Sequence, residues 1–149
     1  MTAPRTKTLD IARRDGLSPH AAADQWVEAR RAEKQRLPGF GHRIHTDDPR
    51  TARLLEMAKT GGVAGSAVAM IEALADAQAR QMGRALPINV DGAMAATLLD
   101  IGIPPELGNT FFMIARVPGL VAHVHEEITR ERPMRRIHPS DHDYDGPTP

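Results

Sequence analysis

Between residues 37 and 50 the chain reads LPGFGHRIHTDDPR, with two glycines and two prolines set between long stretches of helical character. Gly39 and Gly41 flank Phe40 and free the backbone for positive φ or for close approach to a ligand, while Pro38 and Pro49 stiffen the ends. Any fold must carry a rigid turn here, presenting His42 and Arg43 outward. Such a turn serves as a plain helix connection, the commoner use of a short glycine-rich turn, or as a ligand loop. The core around it has little aromatic material, since the sequence holds one Trp, one Tyr and three Phe. A core of Ala, Leu, Ile, Val and Met favours helices over sheets.

Start and stop signals divide the rest. Residues 1 to 16 are polar and read as a loose lead-in or short helix. Ser18-Pro19 predicts a capped helix running to about Arg36, with Ala22, Trp26, Val27 and Ala29 as its apolar stripe. Arg30, Arg31, Lys34 and Arg36 then form a solvated basic face. Pro49, capped by Asp47 or Asp48, opens a second helix that Gly61 and Gly62 stop. A third covers Val63 to Met82, with Val68, Ile71, Leu74 and Ala75 on one side and Gly83 at its end. Asn89-Val90-Asp91 leads into a fourth, which stops at Gly102. The fifth runs from about Glu106 to Arg130 and contains LGNTFFMIARVPGLVAHV, apolar on nearly all faces. A helix of that kind belongs inside a larger body.

Charge and cysteine content exclude several classes. Nineteen basic and nineteen acidic residues give a net charge of zero, so no whole-molecule field recruits nucleic acid or an anionic membrane. Without cysteine there are no disulfides and no thiolate metal sites. The N-terminus lacks an apolar signal core, and no apolar run approaches the roughly 20 residues that span a bilayer. The expectation is a soluble, cytoplasmic protein with no membrane and no nucleic-acid partner.

Four places could carry chemistry. Asp91, at a helix start, can cap the helix or act as a base. His42 is held by a glycine loop rather than a helix. Arg116 lies in the middle of the apolar helix, where a buried guanidinium demands an anion, in a salt bridge or from a ligand. His123 and His125 point to different helix faces, which argues against a shared metal. No metal site is expected.

PGFGHR, then DPR, then NVD at 89–91, then a helix with FxxxR and a terminal RP, taken in that order, resemble the C-terminal part of the citrate synthase family. That family includes 2-methylcitrate synthases and citryl-CoA lyases, enzymes of acetyl-CoA, oxaloacetate and citrate-like acids around the tricarboxylic acid cycle. The similarity covers nearly everything from Leu17 onward. It implies an all-α fold, with residues 1–102 as the small coenzyme A-binding domain and 103–149 as the returning C-terminal segment of the large domain.

The resemblance also implies roles. His42 is similar to the histidine that polarises the oxaloacetate carbonyl, and Asp91 to the base that deprotonates the acetyl methyl group. Arg50, Arg116 and Arg132 resemble carboxylate ligands, and Phe112 the aromatic neighbour of the acyl group. Leu37, Pro38, Gly39, Phe40 and Gly41 resemble the turn around the adenine of coenzyme A, with Arg84 near its phosphates. Arg132 resembles the arginine that reaches a neighbouring subunit, which implies a dimer. Coenzyme A thioester enters as substrate, and no permanently bound cofactor is implied.

The chain departs from the family in two respects. The family's enol-stabilising histidine, in a GHGGA-like motif about forty residues before GFGH, would fall at or before Met1. The spacing from His42 to Arg50 is one residue shorter than in many citrate synthases, and NVDG resembles the lyase branch. The expectation is a condensing or cleaving acyl-CoA enzyme completed by a chain that carries the missing large domain. A non-catalytic coenzyme A-binding module and an inactive truncated relic are the alternatives.

Overall fold

A computed structural model describes residues 4–42, 48–136 and 138. Arg43 and Asp47 lie outside the described residues. Among those described there are six α-helices and no strand. They are α1 (Pro4–Asp15), α2 (Pro19–Ala32), α3 (Pro49–Thr60), α4 (Ser66–Met82), α5 (Val90–Asp100) and α6 (Gly108–Arg130), with a single 3₁₀ turn at Pro105–Leu107 before the last. The chain divides into two compact units, Met1–Asn109 and Thr110–Pro149.

In the first unit α4 is the central element, and α1, α2 and α5 pack on it. Its sequence explains why. Ala67, Val68, Met70, Ile71, Ala73, Leu74 and Ala77 are all buried, and small alanines between larger side chains let neighbouring helices approach closely. From α2 come Ala22, Ala23, Trp26 and Val27, while the Ala29 of the expected stripe is exposed. Leu37 and Phe40 of the loop pack into the same core. The N-terminal segment is not a loose lead-in, because α1 packs through Leu9, Ile11 and Ala12.

Polar side chains set the boundaries. Ser18 caps α2 by accepting from the Ala21 amide at 3.3 Å. The third helix starts at Ser66 rather than Val63, because the cap comes from far along the chain. Asp100, at the end of α5, accepts from the amides of Gly65, Ala67 and Val68 at 2.7, 2.8 and 2.9 Å. Buried Gln78 serves the strandless chain beside it, accepting from Leu86 N at 2.9 Å and donating to Arg84 O at 3.1 Å.

Four of the helix ends share one device, and α2 uses a variant of it. Gly16, Gly62, Gly83 and Gly102, the residues after α1, α3, α4 and α5, all take positive φ. After α2 the corresponding residue is Lys34, at φ 53°. Its amide reaches Arg31 O at 3.0 Å and the Gln35 amide reaches Arg30 O at 2.9 Å, the paired bonds of a left-handed C-terminal cap. That cap ends α2 at Ala32, four residues before the expected Arg36.

The second unit is built on α6, none of whose residues is buried. It is not apolar all round. At about 100° per residue, Met113, Ile114, Val117, Leu120, Val121, Val124 and Ile128 share one stripe, all exposed. Arg116, His123, Glu127 and Arg130 follow along one edge of that stripe, and small residues, Ala115, Pro118 and Ala122, occupy the back. Pro118 does not end the helix. Past it, Arg130 pairs with Glu126 at 2.8 Å and Arg135 with Glu127 at 2.7 Å.

Candidate functional site

The glycine loop is sewn to the approach of α5. Phe40 and Ile88 form an isolated antiparallel bridge, flanked by Gly41 N to Pro87 O at 2.8 Å and Asn89 N to Gly39 O at 3.0 Å. Gly39 and Gly41 take φ of 88° and 79°, as the turn was expected to require. The pairing is close enough to dictate a third glycine. A Cβ on Gly92 would lie 2.4 Å from Gly39 O, so the last residue of NVDG has no room for a side chain.

Asn89 joins both parts. Its Nδ2 donates to Gly41 O at 3.0 Å, and its Oδ1 accepts from Gly92 N at 2.9 Å, capping α5. Asp91 is therefore not the cap. It stands exposed in the first turn of α5.

A second cap places Arg50. Asp48, buried at the start of α3, accepts from Arg50 N at 3.1 Å, from Nε at 2.9 Å and from Nη2 at 2.8 Å. Those bonds hold the Asp48 carboxyl down at about 2, overcoming its burial, with the charges of Arg50 and His42 adding to the effect. Arg50 is raised in turn, chiefly by Asp48 and further by the Asp91 charge. His42, Asp48, Arg50 and Asp91 thus form one electrostatic neighbourhood. The Nε edge of Arg50 is committed to Asp48, while its side chain remains half exposed.

Beside this neighbourhood opens a cleft of about 560 Å³. Leu37, Phe40, Met82 and Leu86 provide apolar wall, and Arg31, Lys34, Arg36 and Arg84 provide cations. Gly41 and His42 complete it toward the loop, and Pro38 and Gly39 form the turn itself. Arg31 of α2 and Lys34 and Arg36 just beyond it thus line a cleft rather than a bare solvated surface, whereas Arg30 lies over the Trp26 ring at 4.9 Å. Arg31 is fixed there by its Nη1 donating to Gln81 O at 3.0 Å.

Of the residues expected in the second unit, Phe112 and Arg116 are exposed on α6, and Arg132 is exposed just beyond it. The burial expected of Arg116 is not found. His123 faces Glu126 at 3.5 Å, and no cluster able to hold a metal ion occurs among the described residues. The sequence pointed to Asp48 as a helix cap, which it is, but not to its hold on the Arg50 side chain, nor to the positioning role of Asn89, although NVD and DPR contain these residues. It also missed the cleft lining from Met82 and Leu86, for which there was no local signal.

Comparison with known proteins names the class of this arrangement. The family model for the citrate synthase C-terminal domain matches residues 7–139, and the chain belongs to that family. Among curated relatives, citrate synthase 2 of Bacillus subtilis is 30% identical over 132 residues, covering 84% of this chain and 33% of its own length. Citrate synthase of Haloferax volcanii is 32% identical over 114 residues, covering 74% and 30%. The chain thus spans about a third of the length of these relatives. Among solved structures, citryl-CoA lyase from Hydrogenobacter thermophilus superposes with a TM-score of 0.76 at 36% identity, covering 99% of this chain and 57% of that one. Citrate synthase from Thermotoga maritima, at 22% identity and a TM-score of 0.65, shares the fold, covering 98% of this chain and 39% of that one. The all-α architecture expected from the sequence is the one these neighbours have. No described helix is long and apolar enough to cross a membrane.

Proposed function

We propose that this chain is the coenzyme A-handling part of an enzyme that makes or breaks the carbon-carbon bond of a citryl thioester. The observation that carries the reading is the position of His42, which lines the cleft and also interacts with Asp48 beside Arg50 and Asp91. Residues 1–102 supply the small domain. In the condensing direction Asp91 takes a proton from the acetyl methyl group, and the resulting enol carbon attacks the keto carbon of oxaloacetate. His42 donates to that carbonyl oxygen as negative charge develops on it. In the cleaving direction the same bond breaks and Asp91 returns the proton. Arg50, with Nη1 left outside its contacts to Asp48, holds a substrate carboxylate. Phe112, Arg116 and Arg132 take the roles the family pattern gives them, the last in a dimer or in a hetero-oligomer with a chain carrying the large domain.

The rest of the large domain comes from outside these 149 residues and covers the α6 stripe. The test is exchange of the acetyl protons of acetyl-CoA in deuterated water, with a chain carrying the large domain present. Asp91→Asn should abolish exchange and leave coenzyme A affinity nearly unchanged. Full exchange in that variant would remove Asp91 from the chemistry. A non-catalytic coenzyme A-binding module is the second reading, favoured by a cleft whose described lining residues all fall between 31 and 86 in the first unit. Binding without exchange in the completed assembly would select it.

A further inference from the structure

We infer that Gln78 is a positioning residue of the candidate site, a buried amide on α4 that fixes the cleft wall and, through it, the glycine loop that presents His42. Gln78 continues the buried face of Ile71 and Leu74 at helical spacing, where another aliphatic side chain would serve packing alone. It is fully buried, and an amide in such a place is costly unless its polar atoms find partners. Both of them do. Oε1 accepts from Leu86 N at 2.9 Å, and Nε2 donates to Arg84 O at 3.1 Å and to Met82 Sδ at 3.5 Å. A main-chain N–H only donates and a carbonyl only accepts, so the amide has one orientation here, which neither a carboxylate nor an aliphatic side chain reproduces.

What Gln78 holds is the segment against which the site is built. Residues 83 to 87 belong to neither helix nor strand, so a side chain supplies the partners that a ladder would otherwise supply. Met82 and Leu86 are apolar wall of the cleft. Next to Leu86 stands Pro87, whose carbonyl accepts from Gly41 N at 2.8 Å, and Asn89 N donates to Gly39 O at 3.0 Å. The path from the central helix to His42 therefore runs from Gln78 to Leu86, from Pro87 to Gly41, and along the chain to His42. Leu37 and Phe40 also pack on the α4 core, but apolar contact is non-directional and does not set the register of a loop. The directional bonds that do so start at Gln78 and at Asn89.

The inference rests on the coenzyme A reading only for the ligand that the cleft receives. Its test is amide hydrogen exchange in the full chain, paired with calorimetric titration of coenzyme A. In wild type the amides of Leu86, Gly41 and Asn89 should open as one unit with a common dependence on urea. Separate opening of Leu86 and Gly41 would overturn the inference without any variant. Gln78→Met fills a similar volume and removes both main-chain bonds, so it should speed exchange at Gly41 and Asn89 about tenfold and leave Ala67 and Val68 unchanged. At a temperature where the variant is folded it should bind coenzyme A about tenfold more weakly. Faster exchange that includes Ala67 and Val68 equally would report lost global stability alone and would overturn the positioning role. So would faster exchange in the loop with coenzyme A affinity unchanged. A wild-type chain that shows the common opening and binds no coenzyme A would remove the coenzyme reading and sustain the hold of Gln78 on the loop.

Discussion

The first unit and α6 use their aliphatic side chains in opposite ways. In α4, Leu74 and Ile71 are at most 1% exposed, whereas Leu120 and Val121 on α6 are 53% and 62% exposed. The first unit has closed its apolar surface against its own helices, with caps and Gln78 satisfying the backbone that burial would strand. The second unit has its local ion pairs and a helical pattern, and its stripe is left facing outward. Hydrophobic periodicity alone therefore does not say whether a helix is self-sufficient. What separates the two is whether residues from elsewhere arrive to cap and cover it, as Asp100 does for α4.

The sharpest way to break the comparison is the same substitution in both places. Leu74→Ala should cost about 3 kcal/mol, and Leu120→Ala, measured at low concentration, less than about 0.5 kcal/mol. Urea unfolding decides. Equal losses would mean that α6 is covered in solution, and a hydrophobic dye that binds wild type and not Leu120→Ala would locate the open stripe.

Next in size is Gly92→Ala, expected to cost about 2 kcal/mol and to weaken coenzyme A, because the loop at Gly39 must retreat from the new methyl. Wild-type stability would show that the loop yields freely. Asp100→Ala should cost about 1–2 kcal/mol by stranding the first amides of α4. Hydrogen exchange at Ala67 and Val68 measures it, and unaltered protection there would deny the cap.

The smallest effect belongs to pH. Asp48 titrates at about 2 in the folded chain, below the ordinary carboxylate value of about 3.9. Its contribution is therefore complete above the unfolded value and is lost as pH falls from about 4 toward 2. About 1–2 kcal/mol should disappear over that window in wild type and not in Asp48→Asn. A profile identical in both proteins would mean the pairing with Arg50 adds nothing.

Legibility in the sequence followed range. Ser18-Pro19, Asp48-Pro49 and the glycines at 62, 83 and 102 marked helix limits because caps act within a few residues. The ordered motifs PGFGH, DPR and NVD pointed to the family. Asp100 as a cap for α4 was invisible, since nothing near Ser66 announces a carboxylate on another helix. At a helix start Asp91 can be cap or base, and it is Asn89 that holds the cap, while the bridge of Phe40 with Ile88 joins single residues that no alternation could reveal. The basic run on α2 looked like an ordinary solvated face, because spacing fixes a side and not what stands opposite.

The bond between Asp100 and the start of α4 also bears on the order of events in time. It closes a segment of 32 to 35 residues within two consecutive helices, and the entropy of closing a loop grows only slowly with its length. The loop at Gly39 is instead held by Asn89, which lies 48 residues from Gly41. Local contacts form sooner than distant ones, so α4 and α5 can assemble as a hairpin before the glycine loop docks. The candidate site would then be the last part of the first unit to take shape on folding, and the first to be surrendered on unfolding.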